Sequence, residues 1–300
     1  MNSNLIIERE KPIIDEICDL YHYDSNIRHL LYIIIPAFIM KYGFDKEKVI
    51  INTFKETKII NSDKEDSIVK AYYSSTPRMV DGDFQTRKFM VIQNYNKISL
   101  VDLLDNLIHE FNHAINSYVN EIKVTLKHLY LRTGLTFRVY QKDNCSFIKK
   151  QSSYILEEII NTKQTSDIIN IIKEMDQSNP IISNTIYAIN AETNSKYQSN
   201  AYYLQSYVCK EILENKTFIN TLENLRINGE VYEVNKWFDS IIGKEGSYKE
   251  LNELLVEIYN LEIKYTEQKL FKKRTIDKIR YTSKQILRII KKFNENVIFK

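Results

Sequence analysis

The chain has 300 residues, of which 43% are hydrophobic and 12% aromatic, and its formal net charge is only +3. This length suits one large domain or two small ones, and the apolar content is sufficient for a packed core, which excludes a disordered chain. Six glycines and four prolines are few for this length, so the composition favours helices over a β-sandwich or a barrel.

The cysteines and the apolar segments indicate a protein of a reducing compartment. Cys18, Cys145 and Cys209 are scattered and odd in number, so we expect free thiols and a cytoplasmic location. The first residues carry charge where an export signal would carry its apolar centre. The most apolar run, residues 32–40, is too short to span a bilayer and contains Pro36, which predicts a core helix and no transmembrane segment.

The first half of the chain predicts helices followed by a small sheet. Residues 12–42 have the pattern of one or two helices, with a break near residues 22–26 and an end before Gly43. Residues 48–61, 67–73 and 87–93 are rich in β-branched residues and predict three strands of a twisted sheet. The sequence Asp81-Gly82-Asp83 predicts a turn between the last two strands.

The third predicted strand, residues 87–93, ends just before a long amphipathic helix. If this strand is the edge of the sheet, its main chain can bind an extended peptide by β-augmentation. An ordinary internal strand is an equally good interpretation of the same residues.

The helix predicted at residues 99–118 contains the sequence His109-Glu110-Phe111-Asn112-His113, an H-E-x-x-H motif. Ser99 is a good N-cap, and Asp102 follows three residues later as in a capping box. Residues four apart lie on one face of a helix, so the two imidazoles can bind one tetrahedral metal ion. Apolar residues cover much of the same helix, which predicts that both histidines are buried and need a partner. We therefore predict a zinc site with Glu110 beside it.

The second half of the chain predicts two further strands and then a series of helices. Residues 129–140 and 146–150 resemble strands around a turn at residues 141–144. A helix is expected from Ser152 or Ser153 to about Gln164, and Thr165 or Ser166 is expected to cap the next. Further helices are predicted at residues 186–191, 202–215, 231–242 and 248–265.

The C-terminal residues 264–300 carry most of the positive charge. They contain twelve Lys or Arg against three Asp or Glu, a net charge of +9, so that residues 1–263 carry −6. Apolar residues recur at helical spacing, which predicts a basic amphipathic helix. This helix either contacts nucleic acid, an anionic membrane or a protein partner, or packs on the acidic remainder with its lysines in water.

Two histidines leave a catalytic zinc one protein ligand short. No histidine follows His128, so the third ligand is expected to be a carboxylate. The best candidate is Glu158 on the next predicted helix, with Asn161 and Thr162 one turn later as possible partners that orient it. Glu157 is the alternative, but Glu158, Thr162 and Thr165 form the more continuous polar stripe.

These motifs give the chain a resemblance to a known class. H-E-F-N-H, then a hairpin containing R-T-G-L, then E-x-x-N-T-x-x-T, resembles the gluzincin zinc metallopeptidases in their compact, thermolysin-like bacterial form. The resemblance covers about residues 85–215, and Ile159 stands where the class commonly has a glycine. It implies a zinc ion held by His109, His113 and Glu158, with Glu110 as general base.

The resemblance also implies a second group that stabilises the oxyanion of the transition state. Members of the class use a downstream His or Tyr, and this chain has no downstream His. Tyr202, at the start of the helix after the Glu158 helix, is the favoured candidate, with Tyr203 and Tyr197 as alternatives.

Taken together, these features predict a mainly helical α+β fold in three parts. Residues 1–120 hold the N-terminal helices, the small sheet and the H-E-x-x-H helix that packs on it. Residues 121–263 hold the hairpin and a helical subdomain with the third ligand, and residues 264–300 form the basic helix. The predicted function is a zinc metallopeptidase acting on peptides or proteins. The alternative is a metal-stabilised binding or regulatory module whose basic helix contacts nucleic acid, membrane or a protein.

Overall fold

The computed structural model describes residues 3–63, 70–150, 154–192, 197–199, 202–267 and 272–297. It has the mainly helical α+β architecture that the sequence predicts. The chain divides into two compact units, which are described separately below. The first unit comprises Met1–Tyr118 and Lys163–Ser199, and the second comprises Val119–Thr162 and Asn200–Lys300.

The elements alternate between helical stretches and two short strand-rich stretches. The helices are α1 (Ser3–Tyr21), α2 (Ser25–Tyr42), α3 (Glu47–Glu56), α4 (Leu100–Ile115), α5 (Tyr154–Lys173), α6 (Pro180–Glu192), α7 (Tyr203–Val208), α8 (Lys210–Leu213), α9 (Lys216–Ile227), α10 (Val234–Ile242), α11 (Ser247–Glu267) and α12 (Lys272–Val297). The strands are β1 (Thr57–Ser62), β2 (Ala71–Val80), β3 (Asp83–Gln93), β4 (Ile122–Val124), β5 (His128–Thr133), β6 (Thr136–Gln141) and β7 (Phe147–Lys150).

Helices α1 and α2 confirm the helical prediction for residues 12–42 and its break. Asp24 caps α2, because its Oδ1 accepts hydrogen bonds from the N–H groups of Asn26 and Ile27 at 2.9 and 3.0 Å. None of the helices in the described ranges is by itself long and apolar enough to cross a membrane. Only the pair Ser25–Tyr42 and Phe44–Glu56, bent by 115°, meets that length and composition when both are taken together.

The strand predicted at residues 48–61 is wrong over its first half, which forms α3. Ile50, Ile51 and Phe54 are spaced three and four residues apart and are buried on one face of that helix. The helical spacing of these apolar residues therefore determines the local structure, although their β-branched composition favours a strand. Only the last part of the prediction forms a strand, β1.

The first sheet has the strand order β1-β3-β2, with β1 parallel and β2 antiparallel to β3. Of the two interpretations of residues 87–93, the internal strand is therefore correct, because β3 is central and β2 lies at an edge. The predicted turn is confirmed: Asp81 and Gly82 both have positive φ and form the two-residue loop of the β2–β3 hairpin. Of the strand predicted at residues 67–73, residues 67–69 lie outside the described residues.

The second sheet has the order β4-β5-β6-β7 and is antiparallel throughout. Residues 129–140, predicted as one strand, are instead a hairpin of β5 and β6. The chain reverses at Gly134, which has a φ of +54°, and Thr133 pairs with Thr136 across the loop. The predicted turn at residues 141–144 is confirmed between β6 and β7.

Helix α5 is one helix where the sequence predicts two. The sequence predicts Thr165 or Ser166 as the cap of a new helix, but both lie inside α5, and Thr165 is fully buried. Its side chain contacts another helix rather than a free helix end. The predicted start at Ser152 or Ser153 lies outside the described residues.

The core of the second unit is built by its C-terminal helices. The basic helix α12 is amphipathic as predicted, and Ile286, Ile290 and Phe293 are fully buried in this core. They pack in a cluster where the Phe293 ring lies 5.0 Å from Phe238 and 5.4 Å from Phe218. The cationic residues of α12 lie on its exposed side. The predicted packing of the apolar face is therefore confirmed, and a binding role of the cationic face stays a prediction.

The three cysteines are free thiols, as the sequence predicts. Cys18 and Cys209 are buried, and burial raises the pKa of Cys18 to about 11 and that of Cys209 to about 12. Cys145 is only half-buried, in the loop before β7. Because the thiolate is the reactive form, we expect Ellman's reagent to modify one thiol per native chain rapidly and all three in denaturant. Rapid modification of all three without denaturant would contradict this burial.

Candidate metal centre

Helix α4 begins where the sequence predicts, because Ser99 caps it. The Ser99 Oγ accepts a hydrogen bond from the N–H of Asp102 at 3.0 Å. The last turns of the helix carry His109, Glu110 and His113, and all three side chains are buried. Imidazole and carboxylate groups are costly to bury without partners. These residues therefore form a polar site on a helix whose other buried residues, apart from Asn112, are apolar.

The two imidazoles and one carboxylate come together as a set of metal donors. The rings of His109 and His113 have centroids 5.0 Å apart and are inclined by 77°. One donor atom from each of His109, His113 and Glu158 lies within 4.8 Å of the other two. This group can hold a metal ion, as the sequence predicts.

The chemistry of the donors fits a divalent transition metal. Two imidazole nitrogens and one carboxylate oxygen are the ligands that catalytic zinc sites use, with a fourth position for solvent. Other ions of the first transition row also accept imidazole and carboxylate ligands. The donor set therefore supports a metal centre without selecting one element.

A buried polar contact aligns α5 with α4. The Asn112 Nδ2 lies 3.5 Å from the Thr165 Oγ1, and both residues are fully buried. Tyr42 donates its hydroxyl to the Asn112 Oδ1 at 2.8 Å and thereby fixes the amide. Glu158 precedes Thr165 by seven residues, or about two turns, so the two share one face of α5.

Glu157, the neighbouring carboxylate, has a different role. It is buried and forms an ion pair with the fully buried Arg226 through Oε1. Its Oε2 accepts a hydrogen bond from the N–H of Leu135 at 2.8 Å, in the loop between β5 and β6. Glu157 therefore ties α5 to the hairpin, while Glu158 belongs to the donor set.

Gly134 lies against this carboxylate and offers a test of the ion pair. A Cβ at Gly134 would meet the Glu157 carboxylate at 2.1 Å, and Glu157 is held from two sides. Gly243 has a similar positive φ with nothing within 4 Å of its Cβ position, so it is a matched control. We expect Gly243→Ala to lower the free energy of unfolding by about 1–2 kcal/mol, because alanine is strained in the left-handed backbone conformation. Gly134→Ala should lower it by more, and urea unfolding measures both values. Equal losses would show that the carboxylate moves freely.

Asn161 and Thr162, the predicted orienting partners of Glu158, follow it by one turn on α5. The Thr162 Oγ1 donates to the main-chain carbonyl of Glu158 at 2.8 Å. The Asn161 Oδ1 lies 3.4 Å from the Arg226 Nη2. These contacts serve the helix backbone and the buried ion pair.

Glu110 is tied to the first sheet. Its Oε2 accepts a hydrogen bond from the main-chain N–H of Tyr73 on β2 at 2.6 Å. Since β2 is an edge strand, an N–H that does not face β3 is available to a side chain. The bond fixes one oxygen of the carboxylate next to the first histidine of the motif. The sequence gives no signal for it, because Tyr73 lies 37 residues away.

The three candidate tyrosines have different surroundings. Tyr202 precedes α7, has a φ of +51° and places its ring 5.8 Å from Tyr259. Tyr203 is exposed and stacks on Tyr207. Tyr197 is buried, its hydroxyl is hydrogen bonded to Asp105, and burial and this carboxyl raise its pKa. The role of Tyr202 at the oxyanion stays a prediction.

Asp105 is a neighbour of the site that the sequence reasoning missed. It lies four residues before His109, a spacing that could have identified it. The Ser199 Oγ donates to the Asp105 Oδ2 at 3.2 Å. Burial raises the pKa of Asp105, whereas the nearby His109 and the hydrogen bonds from Tyr197 and Ser199 lower it.

The resemblance to gluzincins rests on short motifs and on this donor set. Two histidines and a glutamate close together are a generic arrangement, which occurs in metal sites of many folds. No protein-family model matches the chain, and no curated protein and no solved structure matches it either.

Proposed function

We propose that this chain is a zinc-dependent metallopeptidase of the gluzincin type, located in the cytoplasm. The observation that carries the proposal is the approach of His109, His113 and Glu158 with Glu110 next in sequence to the first histidine. A structural zinc site commonly uses four protein ligands, whereas three ligands leave a position for substrate or water. The three free thiols agree with a reducing compartment.

The proposed chemistry divides between the ion and Glu110. Zinc in such a site supplies Lewis-acid chemistry, which polarises a carbonyl and makes water more acidic. The Glu110 carboxylate accepts the proton of the attacking water and delivers it to the leaving amine. The hydrogen bond from Tyr73 holds one Glu110 oxygen in place, so the other oxygen performs the transfer. Tyr202 is proposed to donate to the developing oxyanion.

The edge strand β2 is the proposed binding site for the peptide main chain. The N–H of Tyr73 faces Glu110 rather than β3, and in an antiparallel pair every second residue has this orientation. Pro77, four residues later on β2, has no N–H to offer on that same side, which is where a proline is tolerated. An extended substrate on this edge would lie beside Glu110 and be held by its own main chain.

A peptide library tests the proposal directly. The purified full chain with added zinc is incubated with a diverse peptide mixture, and the products are identified by mass spectrometry. We expect discrete cleavage products that disappear with a chelator and return with zinc. If the zinc-loaded protein cleaves no peptide but hydrolyses other amides or esters, its substrates are not peptides and the proposed substrate class is wrong. A protein with no hydrolytic activity would overturn the proposal.

The exposed side of α12 favours a second candidate role, that of a binding module. This helix has nine exposed Lys or Arg residues and only two acidic residues, Asp277 and Glu295. Such a face attracts nucleic acid or anionic lipid. We expect Lys284→Glu with Arg288→Glu to weaken any binding to anionic vesicles or nucleic acid and to leave hydrolysis unchanged. Retained binding by this variant would exclude α12 as the contact.

A further inference from the structure

The carboxylate of Asp105 lies beside the proposed metal ligands without belonging to them. It is on α4, one turn before His109, and residues four apart lie next to each other on one face of a helix. The Asp105 Oδ1 is buried and accepts no hydrogen bond from any residue in the described part of the chain. An oxygen in this condition needs a donor.

The other oxygen of the same carboxylate is held by the segment that follows α6. The Ser199 Oγ donates to the Oδ2 at 3.2 Å, and the Tyr197 hydroxyl also bonds to Asp105. Tyr197 is itself anchored, because its N–H donates to the Asn170 Oδ1 at 2.9 Å and its carbonyl accepts from the Asn170 Nδ2 at 3.0 Å. Asp105 is therefore fixed from outside α4.

We propose that Asp105 is a positioning residue: when the metal is bound, its Oδ1 accepts the ring N–H of His109 that does not face the metal. A histidine that binds a metal through one nitrogen usually donates its other N–H to a carboxylate or carbonyl. That bond selects one tautomer of His109, orients the ring and makes the ligating nitrogen more basic. Ser199 and Tyr197 hold the carboxylate that does so. The inference rests on the proposed metal site and extends it by one residue.

Metal affinity and a cobalt spectrum test this role separately from catalysis. Zinc affinity of the full chain is measured by competition with a chromophoric chelator, for the wild type, Asp105→Asn and the control Asp102→Asn, an exposed residue on the same helix. We expect Asp105→Asn to weaken zinc binding about 10–100-fold and to alter the absorption of bound Co²⁺. Asp102→Asn should change neither.

The outcomes separate this inference from the proposed function. If the wild type binds zinc and Asp105→Asn binds it equally well with the same Co²⁺ spectrum, the positioning role is wrong and the metal site stands. If the wild type binds no metal, both fail. Should Asp105→Asn not fold, Tyr197→Phe removes one hydrogen bond from Asp105 and keeps its carboxylate. That variant should bind zinc several-fold more weakly, and unchanged binding would also refute the role.

Discussion

Glu110→Gln is expected to lose peptide hydrolysis and to keep the metal. General acid–base catalysis by a positioned carboxylate contributes about 10²–10⁴-fold to a rate, so kcat should fall by that factor. Glutamine has nearly the same shape, and its carbonyl oxygen still accepts the N–H of Tyr73 at the Glu110 position. The fold and the three metal donors are therefore preserved.

Steady-state kinetics and metal analysis of the same sample check this result. The matched control is Glu257→Gln, because Glu257 is exposed on α11; it should leave both kcat and metal content unchanged. A Glu110→Gln protein with wild-type turnover would remove Glu110 from the mechanism. Loss of metal together with activity would mean that Glu110 supports the metal rather than the proton transfer.

Glu157→Gln is expected to lower the free energy of unfolding by about 3–5 kcal/mol, the usual cost of leaving a buried charge without its partner. Two guanidinium groups, those of Arg132 and Arg226, are fully buried near this carboxylate. Burial lowers the pKa of Arg132 to about 10, and the charge of Glu157 opposes that shift. Removing the negative charge leaves both cations with less compensation.

The adjacent residue provides the control for this prediction. Glu158→Gln makes the same chemical change one position later on α5, at a residue of the donor set. Urea unfolding of the metal-free proteins should show a large loss for Glu157→Gln and a small one for Glu158→Gln. Metal binding should show the opposite order. Loss of metal in Glu157→Gln alone would exchange the roles of the two glutamates.

Local signals account for the parts of the site that the sequence predicts. Ser99 fixes the start of α4 through one short-range hydrogen bond, and the spacing of the two histidines follows from helix geometry. The polar stripe of Glu158, Thr162 and Thr165 is enough to favour Glu158 over Glu157 as the metal ligand. These features depend on neighbours within two helical turns, which a sequence displays directly.

Long-range contacts account for the elements in which the structure differs from the sequence prediction. Residues 48–56 have the composition of a strand, but they form a helix in which Ile50 and Phe54 are buried on one face. Thr165 resembles an N-cap, but it bonds to Asn112, 53 residues away. The central place of β3 depends on its pairing with both β1 and β2. Partners so distant in sequence leave no local pattern.

Metal content is the most direct test of the account. The purified full chain, incubated with zinc and then desalted, is analysed by inductively coupled plasma mass spectrometry beside His113→Ala, which removes one of the three donors. We predict about one zinc ion per wild-type chain, as expected of a single three-ligand site, and a large loss in the variant. A wild-type chain without stoichiometric metal, or a variant that retains all of it, would contradict the metal centre.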